Sequence, residues 1–102
     1  MKAFLIDPLA KTISEVQVSG QENELRSLVE AKSIEYDDIS RTLDRLCFDE
    51  DCFITQKPGR FQLDTLAPVA GKALVIGSAN PGGGTHDATI SLSELESRIK
   101  FI

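Results

Sequence analysis

Chemistry in this chain would have to come from the stretch Gly77-Ser78-Ala79-Asn80-Pro81-Gly82-Gly83-Gly84-Thr85-His86-Asp87. Gly77 and Gly82 stand at the spacing of a phosphate-cradling loop, which requires a lysine next and a helix beginning at once, so that its first amides face the phosphate. Here the next residue is Gly83, and the capping signals place the following helix at Leu92. A nucleotide-hydrolysing loop is thereby excluded. What remains is a connection whose glycines relax steric limits, or a backbone-mediated site for a small anion. His86 is the single histidine and adjoins Asp87, a pairing able to act as acid and base near neutral pH or to fill one metal position. With Lys72 as the neighbouring cation, the candidate ligand set is Lys72, Gly82, Gly83, Gly84, His86 and Asp87. None of these is assigned a catalytic role.

The other reactive groups lack the required patterns. Cys47 and Cys52 have four residues between them across an expected hairpin, without the paired spacing of a structural zinc site, so Cys47 is read as a small apolar residue and Cys52 as lying at a turn edge. Asp49-Glu50-Asp51 and Asp37-Asp38 offer hard carboxylate oxygens, but the glycine and closing glutamate of a calcium loop are missing. They read as solvated turns. Ser78 follows Gly77 without the rest of a nucleophile elbow. No metal, cofactor or catalytic residue is therefore expected.

Size sets the frame that must position these groups. With 102 residues, 41% hydrophobic and 26% charged, the chain should form one domain, 1–102, with a single core. So short a domain leaves much of its surface wet, and a homodimer covering part of the sheet is one expectation. The net charge of −5 and the scattered lysines and arginines argue against direct nucleic-acid binding. The apolar run after Met1-Lys2 is too short for a signal-peptide core, and no run approaches membrane-spanning length, so a cytoplasmic location with reduced cysteines is expected.

Period and punctuation give the elements. Lys2–Ile6 reads as a central strand closed by Asp7-Pro8, and Thr12–Val18 as its antiparallel hairpin partner. Ser19 with Glu22 forms a capping box for a helix from about Gly20, whose apolar stripe is Leu25, Leu28 and Val29. A brief strand is expected over Ser33–Tyr36. Alternation at Leu46 and Phe48, the turn Asp49-Glu50-Asp51, a returning strand Cys52–Thr55, the turn at Pro58-Gly59 and a strand Arg60–Leu63 together predict a three-stranded meander. Asp64–Gly71 connects to a continuously apolar, buried strand, Lys72–Gly77. A loop, Ser78–Thr89, leads to a helix, Leu92–Ile99, capped by Ser91 with Glu94 and stapled by Ile90 and Leu95; Lys100-Phe101-Ile102 is a frayed end or a last strand. The fold class is α+β: a mostly antiparallel sheet of about six short strands with two helices packed on one face.

This layout, KAFLIDP, ISEVQV, LCFDED, VAGKALVIGS and SLSELESRI, resembles small uncharacterised proteins of phages and prophages, from which the glycine-rich insertion departs. The resemblance implies an accessory cytoplasmic protein and transfers no site residues. Two functions follow: an interaction module that binds a protein partner, a host protein if the phage likeness holds, or a small-ligand or anion-binding domain using the loop Ser78–Thr89. The lack of convergent acid, base and nucleophile favours the first.

Overall fold

The computed structural model describes residues 1–77 and 86–102. The fold is α+β, and the described residues form eight strands in two antiparallel sheets and two helices. Strands β1 (Lys2–Asp7) and β2 (Thr12–Gln17) form the expected hairpin, with Lys2 opposite Gln17 and Asp7 opposite Thr12. Its turn is built by Asp7, whose Oδ1 accepts from the amides of Leu9 (3.1 Å) and Ala10 (3.2 Å). Helix α1 spans Glu22–Val29. The capping carboxylate is Glu24 rather than Glu22: its Oε1 accepts from the Ser19 amide at 2.7 Å and the Ser19 hydroxyl at 3.1 Å, because the helix starts after Gln21.

Strands β3 (Ile34–Asp38) and β4 (Asp44–Asp49) follow, then β5 (Arg60–Leu63), β6 (Val69–Ala70) and β7 (Ala73–Gly77). Helix α2 (Leu92–Arg98) runs directly into β8 (Ile99–Phe101), which resolves the C-terminus as a strand. Ser91 caps α2 as expected, accepting from the Glu94 amide at 3.1 Å. The large sheet has the order β2-β1-β7-β4-β3, and the small one the order β6-β5-β8. All five residues of β7 are buried, as a continuous apolar run in the middle of a covered sheet must be.

Four expectations need correction. The strands divide between two sheets instead of forming one of about six, because β5 pairs with β6 and β8 and not with β4. No meander forms: Cys52–Thr55 is a turn, and β4 lies between β3 and β7. Cys52 is buried there, in the core instead of at an edge. The helices also divide. Leu25 and Val29 of α1 join Ala3, Cys47, Leu74 and Ile76, whereas Leu95 of α2 joins Phe4, Leu46, Val75 and the small-sheet residues Phe61 and Leu63. Successive residues of a strand face opposite sides, so Leu74 and Val75 separate two cores, one on each face of the large sheet. Each fully buried leucine or phenylalanine in them contributes about 2 kcal/mol.

Candidate interaction surface

Among the described residues singled out in the sequence, Lys72 lies apart from His86 and Asp87. Lys72 precedes β7 and His86 follows the return to its far end, some five residues away, or about 16 Å along an extended strand. Gly82, Gly83 and Gly84 lie outside the described residues. Beyond them the chain is fixed by its polar groups. Asp87 Oδ1 accepts from the Lys2 amide at 2.7 Å, the Ala88 amide donates to the Lys2 carbonyl at 2.9 Å, and His86 Nδ1 lies 3.0 Å from the Asp87 carbonyl. Asp87 and Ala88 thus bind this segment to β1 at Lys2, while the His86 ring bonds only locally, and one oxygen of the Asp87 carboxylate is engaged. A Cβ on Gly77 would lie 2.2 Å from the His86 carbonyl oxygen, so that glycine serves close chain approach.

Asp44 completes the anchor. Nearly fully buried at the start of β4, it accepts from the Thr89 amide (2.7 Å), the Thr89 hydroxyl (2.9 Å) and the Ile90 amide (2.9 Å). The signal for it was available: Asp44 shares its strand face with Leu46 and Phe48, where a carboxylate must find donors. Lys57 is a second buried hub. Its Nζ donates to the carbonyls of Val29 (2.9 Å) and Glu30 (2.5 Å) and pairs with Asp49 at 2.9 Å, tying the end of α1 to β4.

The cysteines lie in different cores, Cys47 beneath α1 and Cys52 on the other face. Burial pushes the Cys47 thiol up to about 12, far from a nucleophile's range. Among the described residues no group of three or more His, Cys, Asp and Glu side chains could hold a metal ion, and no helix is long and apolar enough to cross a membrane.

Two grooves open on the surface. The larger, about 720 Å3, runs along α2 past Ser40, Arg41, Asp64, Thr65 and Arg98. Its central groups satisfy each other. Arg98 Nε donates to both oxygens of Asp64 (2.9 and 3.0 Å), its Nη2 also donates to Asp64 and to the Ser40 carbonyl (2.9 Å), and Glu94 stands 3.6 Å away. These bonds, and then the charges of Arg98 and Arg41, hold the Asp64 carboxyl below the ordinary carboxylate range despite slight burial. Its folded value is depressed, so the stabilisation is complete above the unfolded value of about 3.9 and is lost as pH falls through the folded one. Asp64→Asn is expected to cost about 1 kcal/mol at pH 7 and progressively less as pH falls below the unfolded value. Urea midpoints measured from pH 2 to 7 check this; an equal loss at both ends would refute it.

The smaller groove, about 290 Å3, lies between Leu9, Lys57, Pro58 and Lys72. Lys72, a member of the sequence-derived set, lines this groove and stands 3.7 Å from Glu30. Beside this groove the exposed apolar side chains collect. Gly59, at φ +78°, brings the chain so close to the β1–β2 turn that a Cβ would lie 2.6 Å from the Leu9 amide nitrogen. Arg60 next to it stacks on the Phe53 ring at 5.6 Å and accepts the Ile102 amide on its carbonyl at 3.0 Å. Leu9 (68% exposed), Phe53 (52%) and Ile102 (65%) are thus each attached at Gly59 or Arg60, and Ile54 (81%) follows Phe53 in sequence. Leu43, whose amide donates to the Thr89 hydroxyl, and Leu92 lie apart, near the Asp44 anchor. Comparisons with protein-family models, with curated proteins and with solved structures found no match for this chain.

Proposed function

We propose that this protein is a binding module whose apolar end, formed by Leu9, Phe53, Ile54 and Ile102 around Arg60, docks a protein partner. The observation that carries this reading is a juxtaposition of exposed apolar residues: the backbones of Leu9 and Ile102 meet the chain at Gly59 and Arg60, the Arg60 guanidinium lies over the Phe53 ring, and Ile54 follows Phe53 in sequence. Scattered singly, such residues would need no explanation, but a cluster of aliphatic and aromatic side chains with an arginine has the composition of an interface centre. Arg60 makes no ion pair among the described residues, so the partner presents an apolar pocket bordered by a carboxylate. If the phage likeness holds, that partner is a host protein and this chain an accessory factor.

The test is capture on the immobilised full chain, followed by affinity measurement with each captured protein. Replacing Phe53 and Ile54 with serine is expected to weaken binding at least about tenfold, while Leu43→Ser with Leu92→Ser leaves it unchanged. Both pairs are exposed, so folding is little affected. A partner that ignores the first pair of substitutions and responds to the second would overturn the assignment.

A further inference from the structure

The outer edge of β2 offers a different and independent surface. Met1 and Val18 exchange both backbone bonds, at 2.8 and 2.6 Å. In an antiparallel ladder the bonded pairs alternate, so Val16, Ser14 and Thr12 also bond inward to β1. The amides and carbonyls of Ile13, Glu15 and Gln17 therefore point away from the sheet, and among the described residues no strand pairs with them. Such an edge is a template for another strand.

The remaining edges are blunted. Strand β3 carries Glu35, Asp37 and Asp38, and self-pairing there would set carboxylates against each other. Strands β6 and β8 have only two and three residues. Strand β2 carries a single charge, Glu15, in a run of six.

We infer that β2 pairs antiparallel with β2 of a second copy, about a two-fold axis through Ser14, to give one continuous ten-stranded sheet. The register follows from overlap, parity and charge, since of the axes through a residue only those at Ser14 and Glu15 pair five of the six residues of β2. Opposed residues must lie on the same face, so the axis passes through a residue and not between two. An axis at Glu15 would oppose the two glutamates directly. At Ser14, Ile13 of each copy exchanges backbone bonds with Glu15 of the other, and the α1 face acquires an uncharged ladder of Thr12 with Val16 and Ser14 with Ser14. Pairing along one strand falls below the roughly 1,200 Å2 of stable complexes, so association is concentration-dependent, with a Kd in the micromolar range or weaker.

Sedimentation equilibrium tests this on the full chain: the average mass should rise from 11.1 kDa toward twice that between about 10 μM and 1 mM. Glu15→Pro removes an outward amide that β1 does not use, and should keep the protein folded and monomeric. The register is tested by oxidation with glutathione disulfide. Ser14→Cys places two thiols at a non-hydrogen-bonded pair, with Cα atoms about 4.5 Å apart, and should cross-link at least about tenfold faster than Glu15→Cys. A mass that stays at 11.1 kDa at 1 mM overturns the dimer. Faster cross-linking of Glu15→Cys overturns the register.

Discussion

We expect Lys57→Met to lower the unfolding free energy by about 3 kcal/mol, the largest loss from any single lysine in the chain. The side chain is mostly buried at 17% exposure, and Asp49, its partner, is at 4%. Methionine keeps much of the stem's packing but removes the charge, leaving a buried carboxylate with one remaining bond, from the Asp51 amide at 2.9 Å. It also orphans the Val29 and Glu30 carbonyls at the end of α1, which the ammonium now satisfies. Urea unfolding followed by circular dichroism checks the value. Because most of the loss is the penalty of an unpaired charge, a second substitution, Asp49→Leu, should restore part of it. A double variant as unstable as the sum of the two single ones would show that the pair is not what holds α1 to β4.

Asp44→Ala is expected to cost a similar amount, about 3 kcal/mol, by a different route. It removes the acceptor for three donors, two of them main-chain amides at Thr89 and Ile90 that lie against the core. Asp44→Asn separates charge from shape: its amide nitrogen would face an N–H at one of these contacts, so most of the loss, about 2 kcal/mol, should persist. Hydrogen exchange localises the effect, since Thr89 and Ile90 should lose protection before the central strand β7 does. Full protection at Ile90 in the alanine variant would mean that another group holds this segment. The staple of Ile90 and Leu95 should loosen with it, because both side chains belong to the core that Asp44 closes.

These two hubs explain why the candidate site was hard to read from the chain. Their partners are 45 residues away for Asp44 and 28 for Lys57, beyond any local pattern. Lys57 lies beside Pro58-Gly59, where the turn signal says nothing about a side chain directed inward. The run Cys52–Thr55 has the composition of a returning strand, but no partner strand is available to it, because β4 is already bonded on both sides. His86 and Asp87 drew attention because their chemistry is versatile, yet the fold uses Asp87 to hold a backbone amide.

The features legible along the chain are local and short-ranged. The β1–β2 hairpin, the Ser91 cap of α2, the apolar face of α1 and the burial of β7 all follow from interactions within a few residues, or from an alternation that requires one buried face. The tertiary structure alone decided which strands are neighbours, that β8 returns to β5, and that the helices cover opposite faces of the large sheet. A strand with two apolar faces specifies that both must be covered and leaves open by what. That choice is made by the joint burial of distant segments, and it also determines which apolar side chains remain outside, at the end around Arg60.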